Sequence, residues 1–391
     1  MTNFIVVDFG ASLMHTHHSR VIEGFSQLLL EKEKNFEVLL PLASEINISC
    51  SNLVRKNLLP SYHPAGFSFS RIETYVPALL GKLFSLATDT SLHKFVSRIL
   101  ISLTVRKFYK YLRSSKFREE LITIIFPTAC PITFEVGKYL NKKNFKATLI
   151  YRLTNTAERR GFHLVNFDLR RDIQELQNSN CITAKFAYEM VEYVEDLPVD
   201  SNLLSYSPTP PCKERLTQQS DSDVLIIAFL GMAQKHKGIK WLAELVEQSF
   251  KMRKISKLRW IIQTETTVPP ELIFLSNKYD LLLLPGRLNE NEMSDALAKA
   301  HLICLPYNKD SYLKNASALA YRAADNFTAV ATFRGTAFAN EIEKYGIGIV
   351  ADTTFDLVAR MTAQFEARAW SEKIIAYNLI RKNANLKLLD L

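Results

Sequence analysis

Two series of short β-rich runs alternating with helical patterns, separated by a proline-rich stretch, predict an α/β protein. The expected architecture is two tandem Rossmann-like domains facing across a cleft. Three observations carry this. The strand candidates are continuous apolar runs, as in parallel strands buried on both faces. The segments between them have helical periodicity. The chain of 391 residues is long enough for two cores of ordinary size.

In the first half, "FIVVDFG" (4–10) reads as a strand, "SRVIEGFSQLLLEKE" (19–33) as an amphipathic helix and "FEVLLPLA" (36–43) as a strand. "LITIIFPTA" (121–129) and "KATLIYRLT" (146–154) read as strands around the helix "TFEVGKYLNKKN" (133–144). A helix over 170–180 follows, and 181–194 reads as a short strand running into a helix. The character changes over 196–223, which holds four of the 14 prolines among Ser, Thr and Asp. The domain boundaries are therefore set at 1–200 for the first domain, 201–223 for the linker and 224–355 for the second domain. Residues 356–391 are expected as helices crossing back to the first domain.

The second half restarts the rhythm. Strands are expected over 224–231, 258–265, 279–286, 301–307, 327–333 and 346–352. Helices are expected over 239–251, 289–300 and 317–324, and 355–383 reads as helix without strands.

Composition bounds the function classes. Hydrophobic content of 47% and charged content of 23% suit a soluble globular chain. The formal charge of +9 favours anionic partners without choosing among them. Cys50, Cys130, Cys181, Cys212 and Cys304 are scattered without CxxC spacing, which suggests a reducing compartment. "MTNFIVVDFG" has no basic n-region and too short an apolar run for a signal peptide, and no run reaches the roughly 18 apolar residues of a membrane span. A cytoplasmic location is expected, compatible with a peripheral position on the inner face of a membrane.

In doubly wound sheets ligands bind beyond the carboxyl ends of the strands, near the switch in strand order. With two such domains the expected site is the cleft between them. Residues just after strands are therefore the candidates. "FLGMAQKHKGIKWL" (229–242) runs from an apolar strand through Gly231 into a basic cluster and then a helix. Free N–H groups and the dipole at a helix start favour an anion. Lys237 would act as a point charge and Gln234 as a neutral donor beside Gly238. The same pattern also describes an ordinary solvated loop. In "LPYNKDSYLKNASALAYRAADNFTAVAT" (305–332), a helix begins near Asn315–Ser317, which either simply cap it or bind a second phosphate oxygen. In "LLPGRLNENEM" (283–293), Gly286–Leu288 could line a flat base, with Arg287 either in the site or solvated.

On these residues the chain resembles GT-B glycosyltransferases of the group 1 (family 4) type. The match is strand–G–x–x–[RQ]–x–x–K–G, a "G-x-L" base loop, "A-D-hydrophobic-P" and a Ser-containing loop before a helix. It is most specific over 224–352 and architectural over 1–195. The resemblance implies a nucleotide-sugar donor whose diphosphate meets Lys237 and Gln234 in the turn bounded by Gly231 and Gly238. It puts Gly286, Arg287 and Leu288 by the base, and Asn315 and Ser317 at the distal phosphate or sugar. There are departures: the family's helix-opening Glu falls on Tyr321 or Arg322, its partner carboxylate falls at Leu313–Lys314, and the Arg after its first Gly is Met232.

The loop 8–25 carries Asp8, His15, His17 and His18, a poor zinc site because one short loop supplies every imidazole. By the resemblance His17 or His18 would position or deprotonate an acceptor hydroxyl; a satisfied loop histidine is the other reading. Arg152 and Arg159, with Arg160, could bind an anionic acceptor. Residues 93–120 form a basic, aromatic-edged helix, suited either to an anionic membrane surface or to core packing with a wet basic face.

The expected function is transfer of a sugar from a nucleotide sugar to a glycan or lipid-linked acceptor in surface polysaccharide synthesis. Retention of configuration follows from the resemblance. No metal is expected, and no cofactor beyond the nucleotide-sugar co-substrate. The alternative is a catalytically inactive GT-B-like binding or partner subunit. No nucleic-acid motif accompanies the charge, so no nucleic-acid partner is expected.

Overall fold

The computed structural model describes residues 3–9, 17–41, 53–56, 90–114, 121–153, 168–190, 194–199, 203–206, 208, 224–231, 237–252, 257–313, 315–363 and 367–391. The chain divides into two compact units, Met1–Thr209 with Ala384–Leu391, and Pro210–Asn383.

The first unit contains a six-stranded parallel sheet. Its strands are β1 (Asn3–Val7), β2 (Phe36–Pro41), β3 (Leu53–Lys56), β4 (Ile122–Phe126), β5 (Ala147–Leu153) and β6 (Ile182–Tyr188), in the order β3-β2-β1-β4-β5-β6. Every residue of β1 and β4 is buried, which explains why these strands read as unbroken apolar runs. One face of the sheet is covered by α2 (Thr90–Ser114), α3 (Pro131–Lys142) and α4 (Leu169–Gln177) around Phe126, Tyr151 and Phe186. The other face is covered by α1 (His17–Glu31), through Val21, Ile22, Phe25 and Leu29. Leu388 and Leu389 complete that second cluster.

The second unit repeats the design. Its strands are β7 (Val224–Phe229), β8 (Lys257–Thr264), β9 (Leu281–Pro285), β10 (Leu302–Leu305), β11 (Ala329–Phe333) and β12 (Gly348–Ala351), all parallel, in the order β12-β11-β10-β7-β8-β9. Its helices are α5 (Ile239–Met252), α6 (Pro270–Lys278), α7 (Glu290–Lys299), α8 (Lys309–Tyr312), α9 (Ala318–Asp325), α10 (Ala337–Tyr345), α11 (Thr354–Ala363) and α12 (Ala367–Leu388), whose residues from Ala384 on belong to the first unit. Counted within each unit, both sheets run 3-2-1-4-5-6, so the order switches between β1 and β4 and again between β7 and β10.

Several elements differ from expectation. The helix expected after the strand in 181–194 does not follow directly. All seven residues of β6 pair with β5, and Tyr188 stays extended because its N–H donates to Leu203 and its carbonyl accepts from Ser205. The stretch 355–383, read as helix without strands, is occupied by α11 and α12, with the residues between them outside the described ones. Four elements were not anticipated, one of them the four-residue helix α8. Strand β3 is only four residues long, α6 starts on Pro270 at a position where proline's missing N–H costs nothing, and α10 ends at left-handed Gly346.

Trp260 of β8 is fully buried, and its indole N–H donates to Ser249 Oγ of α5 at 2.9 Å. Ser249→Ala leaves that N–H without an acceptor and is expected to destabilise the protein by about 1–3 kcal/mol, measurable by denaturant unfolding.

Candidate functional site

The second unit's switch point gathers three turns. The chain leaves β7 through Gly231, whose φ of 86° is one that L side chains rarely adopt. It enters α5 through Gly238, φ 80°, where a Cβ would lie 1.9 Å from the carbonyl oxygen of Pro306 just beyond β10. Only glycine allows the turns after β7 and β10 to touch. The third turn follows β9, at Gly286, where a Cβ would meet nothing within 4 Å.

A residue the sequence reading passed over ties two of these turns together. Gln263, buried near the end of β8, accepts from Gly231 N–H at 2.7 Å and donates to the Gly286 carbonyl at 2.9 Å. The available signal was a lone amide at the end of the apolar run "LRWIIQTE".

Lys237 precedes Gly238, and its Nζ lies 3.3 Å from where a Gly231 Cβ would stand. Burial lowers its pKa below the ordinary lysine value. Among the described residues no carboxylate pairs with it. A partly desolvated cation over a glycine turn at a helix start attracts an anion more strongly than a solvated lysine does.

Ser317 caps α9, accepting from Ala320 N–H at 3.2 Å, and hydrogen-bonds the buried Tyr307 hydroxyl. Leu319, in the first turn of α9, comes within 3.5 Å of the Gly231 Cβ position, which brings the start of that helix to the same turn. Its first amides lack intrahelical acceptors by construction. Asn315 donates its side-chain amide to the Ser311 carbonyl. Leu288 is half-buried and Arg287 is exposed. The structure thus groups Gly231, Lys237, Gly238, Ser317 and Gly286; Gln234 lies outside the described residues.

The positions where the resembled family has its helix-opening Glu are committed to internal packing. Tyr321 is buried with its ring 5.0 Å from the Arg381 guanidinium, which pairs with Asp325 at 2.7 Å. Arg322 donates to Ser294 Oγ at 3.2 Å.

In the first unit Arg152 departs from its expected acceptor-binding role. Its side chain is fully buried, donates to the Pro127 carbonyl at 2.9 Å and is ion-paired with Glu189. The guanidinium braces the turn after β4 against the end of β6, and its charge is neutralised inside the unit. His17 and His18 open α1, but their side chains lie outside the described ones, as do Arg159 and Arg160.

No family model and no curated protein matches the sequence. Solved structures do match over the full length. The N-terminal domain of trehalose-6-phosphate phosphatase from Candida albicans has a TM-score of 0.56 at 12% identity, covering 99% of this chain and 95% of that one. The lipopolysaccharide outer core galactosyltransferase WaaB, apo form, gives 0.55 at 10%, covering 99% and 98%. Sucrose-phosphate synthase from Thermosynechococcus elongatus gives 0.54 at 13%, covering 100% and 97%. These likenesses show that the chain has the two-domain GT-B fold.

Two substitutions test the geometry. Gln263→Leu strands Gly231 N–H and the Gly286 carbonyl and is expected to cost about 1–3 kcal/mol, read as a lower Tm. Arg152→Met leaves the Glu189 carboxylate buried without its cation and is expected to cost about 3–5 kcal/mol, seen in denaturant unfolding. An acceptor-binding Arg152 would instead leave stability unchanged.

Proposed function

We propose that the protein transfers a sugar from a nucleotide-sugar donor to a glycan or lipid-linked acceptor in the synthesis of a surface polysaccharide. The observation that carries the reading is the desolvated Lys237, with no carboxylate partner among the described residues, over the glycine turn at the second unit's switch point, in a chain with the GT-B fold. Glycosyl transfer leaves negative charge on the departing nucleoside diphosphate. Lys237 and the starts of α5 and α9 would stabilise it there without a metal ion or other cofactor. The open space at Gly286 suits the flat base, with Arg287 and Leu288 at its edge and Gln263 holding the turn in place. Retention of configuration, an acceptor hydroxyl handled by His17 or His18, and an anionic acceptor met by Arg159 belong to the same reading. So does work in the cytoplasm, on the inner face of a membrane.

A second reading has an observation of its own. Tyr321 and Arg322 pack internally where the resembled family has its carboxylate, which fits a GT-B-like partner subunit that binds without catalysing. Transfer or hydrolysis of any nucleotide sugar by the purified protein excludes it.

A panel of nucleotide sugars is expected to yield a binder whose affinity falls about 10- to 100-fold in Lys237→Ala, the scale of one lost charge-assisted hydrogen bond. Undiminished binding would overturn the phosphate assignment. The pH dependence has a defined sign. Because burial lowers the folded-state pKa of Lys237, its charged form opposes folding, and this group's contribution to stability improves as pH rises through the depressed pKa. A bound diphosphate favours the ammonium and raises that pKa again. Nucleoside diphosphate binding at alkaline pH is therefore expected to take up a proton, detected by calorimetry in buffers of different ionisation heat and lost in Lys237→Ala.

A further inference from the structure

Strand β9 stands at one edge of the second unit's sheet and contains no charged residue. Four consecutive leucines ordinarily mark a strand covered on both faces, yet not one residue of β9 is buried, and Leu282 is 46% exposed. The other sheet edges are protected. Three of the four residues of β12 are buried, β3 holds two cations in four residues, and the end of β6 is bonded to Leu203 and Ser205.

The backbone of β9 has an equally open side. Trp260 N–H donates to the Asp280 carbonyl at 3.0 Å, and Gly286 N–H donates to the Thr264 carbonyl at 3.1 Å. In a parallel ladder of this register the even-numbered residues of β9 bond to β8, and Leu281, Leu283 and Pro285 direct their backbone groups away from it. Leu281 N–H donates to the Tyr279 carbonyl at 2.9 Å, and Pro285 has no N–H. Leu283 keeps a donor and an acceptor that no strand meets among the described residues.

Helix α6 leads into β9 and packs on it and on α5. It buries Leu272 and Leu275 but leaves Ile273 and Phe274 at 47% and 67% exposed. The exposed charges flanking β9 are divided by end. Lys257, Arg259 and Lys278 against Asp280 leave a positive excess where the strand begins. Glu265 and Glu271 against Arg287 leave a negative excess where it finishes.

A two-fold axis perpendicular to the sheet satisfies all three features together. It sets β9 antiparallel to β9 of a second copy, with Leu283 opposite itself and the two copies exchanging N–H···O bonds. It brings the two α6 helices together over the seam, where Ile273 and Phe274 cover one another. It also lays the basic end of each strand beside the acidic end of the other. We propose that the protein forms a two-fold dimer through β9 and α6, which joins the second-unit sheets of two copies into one. The dimer stands or falls separately from sugar transfer, because its test contains no nucleotide.

Sedimentation equilibrium of the full chain over a concentration series is expected to show a monomer–dimer equilibrium. Phe274→Lys with Leu282→Lys places like charges across the axis and is expected to weaken association by about 100-fold or more. Both side chains are exposed, so an unchanged Tm shows that this variant folds. A second variant locates the contact. In a hydrogen-bonded antiparallel pair the Cα atoms stand about 5.5 Å apart, within disulfide range. Leu283→Cys is expected to cross-link under mild oxidation, with mass spectrometry finding the peptide that carries position 283 joined to its own copy. A chain that stays monomeric, a dimer undiminished in the double lysine variant, or a dimer in which position 283 does not join to itself overturns the proposal.

Discussion

The second unit's candidate site depends on one steric constraint, the absence of a Cβ at Gly238 beside the Pro306 carbonyl. A methyl group there would need to occupy a point 1.9 Å from a backbone oxygen, so the turns after β7 and β10 would have to part. Their contact sets where α5 begins, and with it where Lys237 extends. It also brings the start of α9 toward Gly231, through Leu319. Gln263 fixes the remaining turn by bonding Gly231 and Gly286 at once. The polar groups at the strand ends are thus held by backbone geometry and a single buried amide.

The fate of the cations separates structural from available charge. Arg152 and Arg381 are buried and matched by Glu189 and Asp325, where removing either partner would leave a charge stranded in a poorly polarisable interior. Among the described residues, Arg98, Arg106, Lys107, Lys110 and Arg113 of α2 have no such carboxylate matches, and neither does Lys237. At Lys237 partial burial makes an anionic ligand the favourable complement.

Strands and helices that pack along their whole length were legible in the sequence. β1, β4 and β7 are apolar runs because both faces of each sheet are covered, and α5 is amphipathic because one face is. Elements set by particular contacts were not. β3 has only four residues, too few for a period, and the extended end of β6 depends on bonds from Tyr188 to Leu203 and Ser205, distant in sequence. At the site, Gly231, Lys237 and Gly238 were visible because a strand, a glycine and a helix start are adjacent in sequence. Gln263 was not, because its partners lie 32 and 23 residues away.

The sequence by itself determined two parallel α/β units, their helical layers and the turn that carries Lys237, since periodicity and chain punctuation are local properties. Only the tertiary structure decided that Arg152 is an internal brace, that Gln263 joins two turns, and that Arg98, Arg106, Lys107, Lys110 and Arg113 of α2 are exposed with no carboxylate partner among the described residues. Each of those depends on which side chain from a remote segment comes to lie opposite, and hydrogen bonds and ion pairs act only over the few ångströms that folding closes.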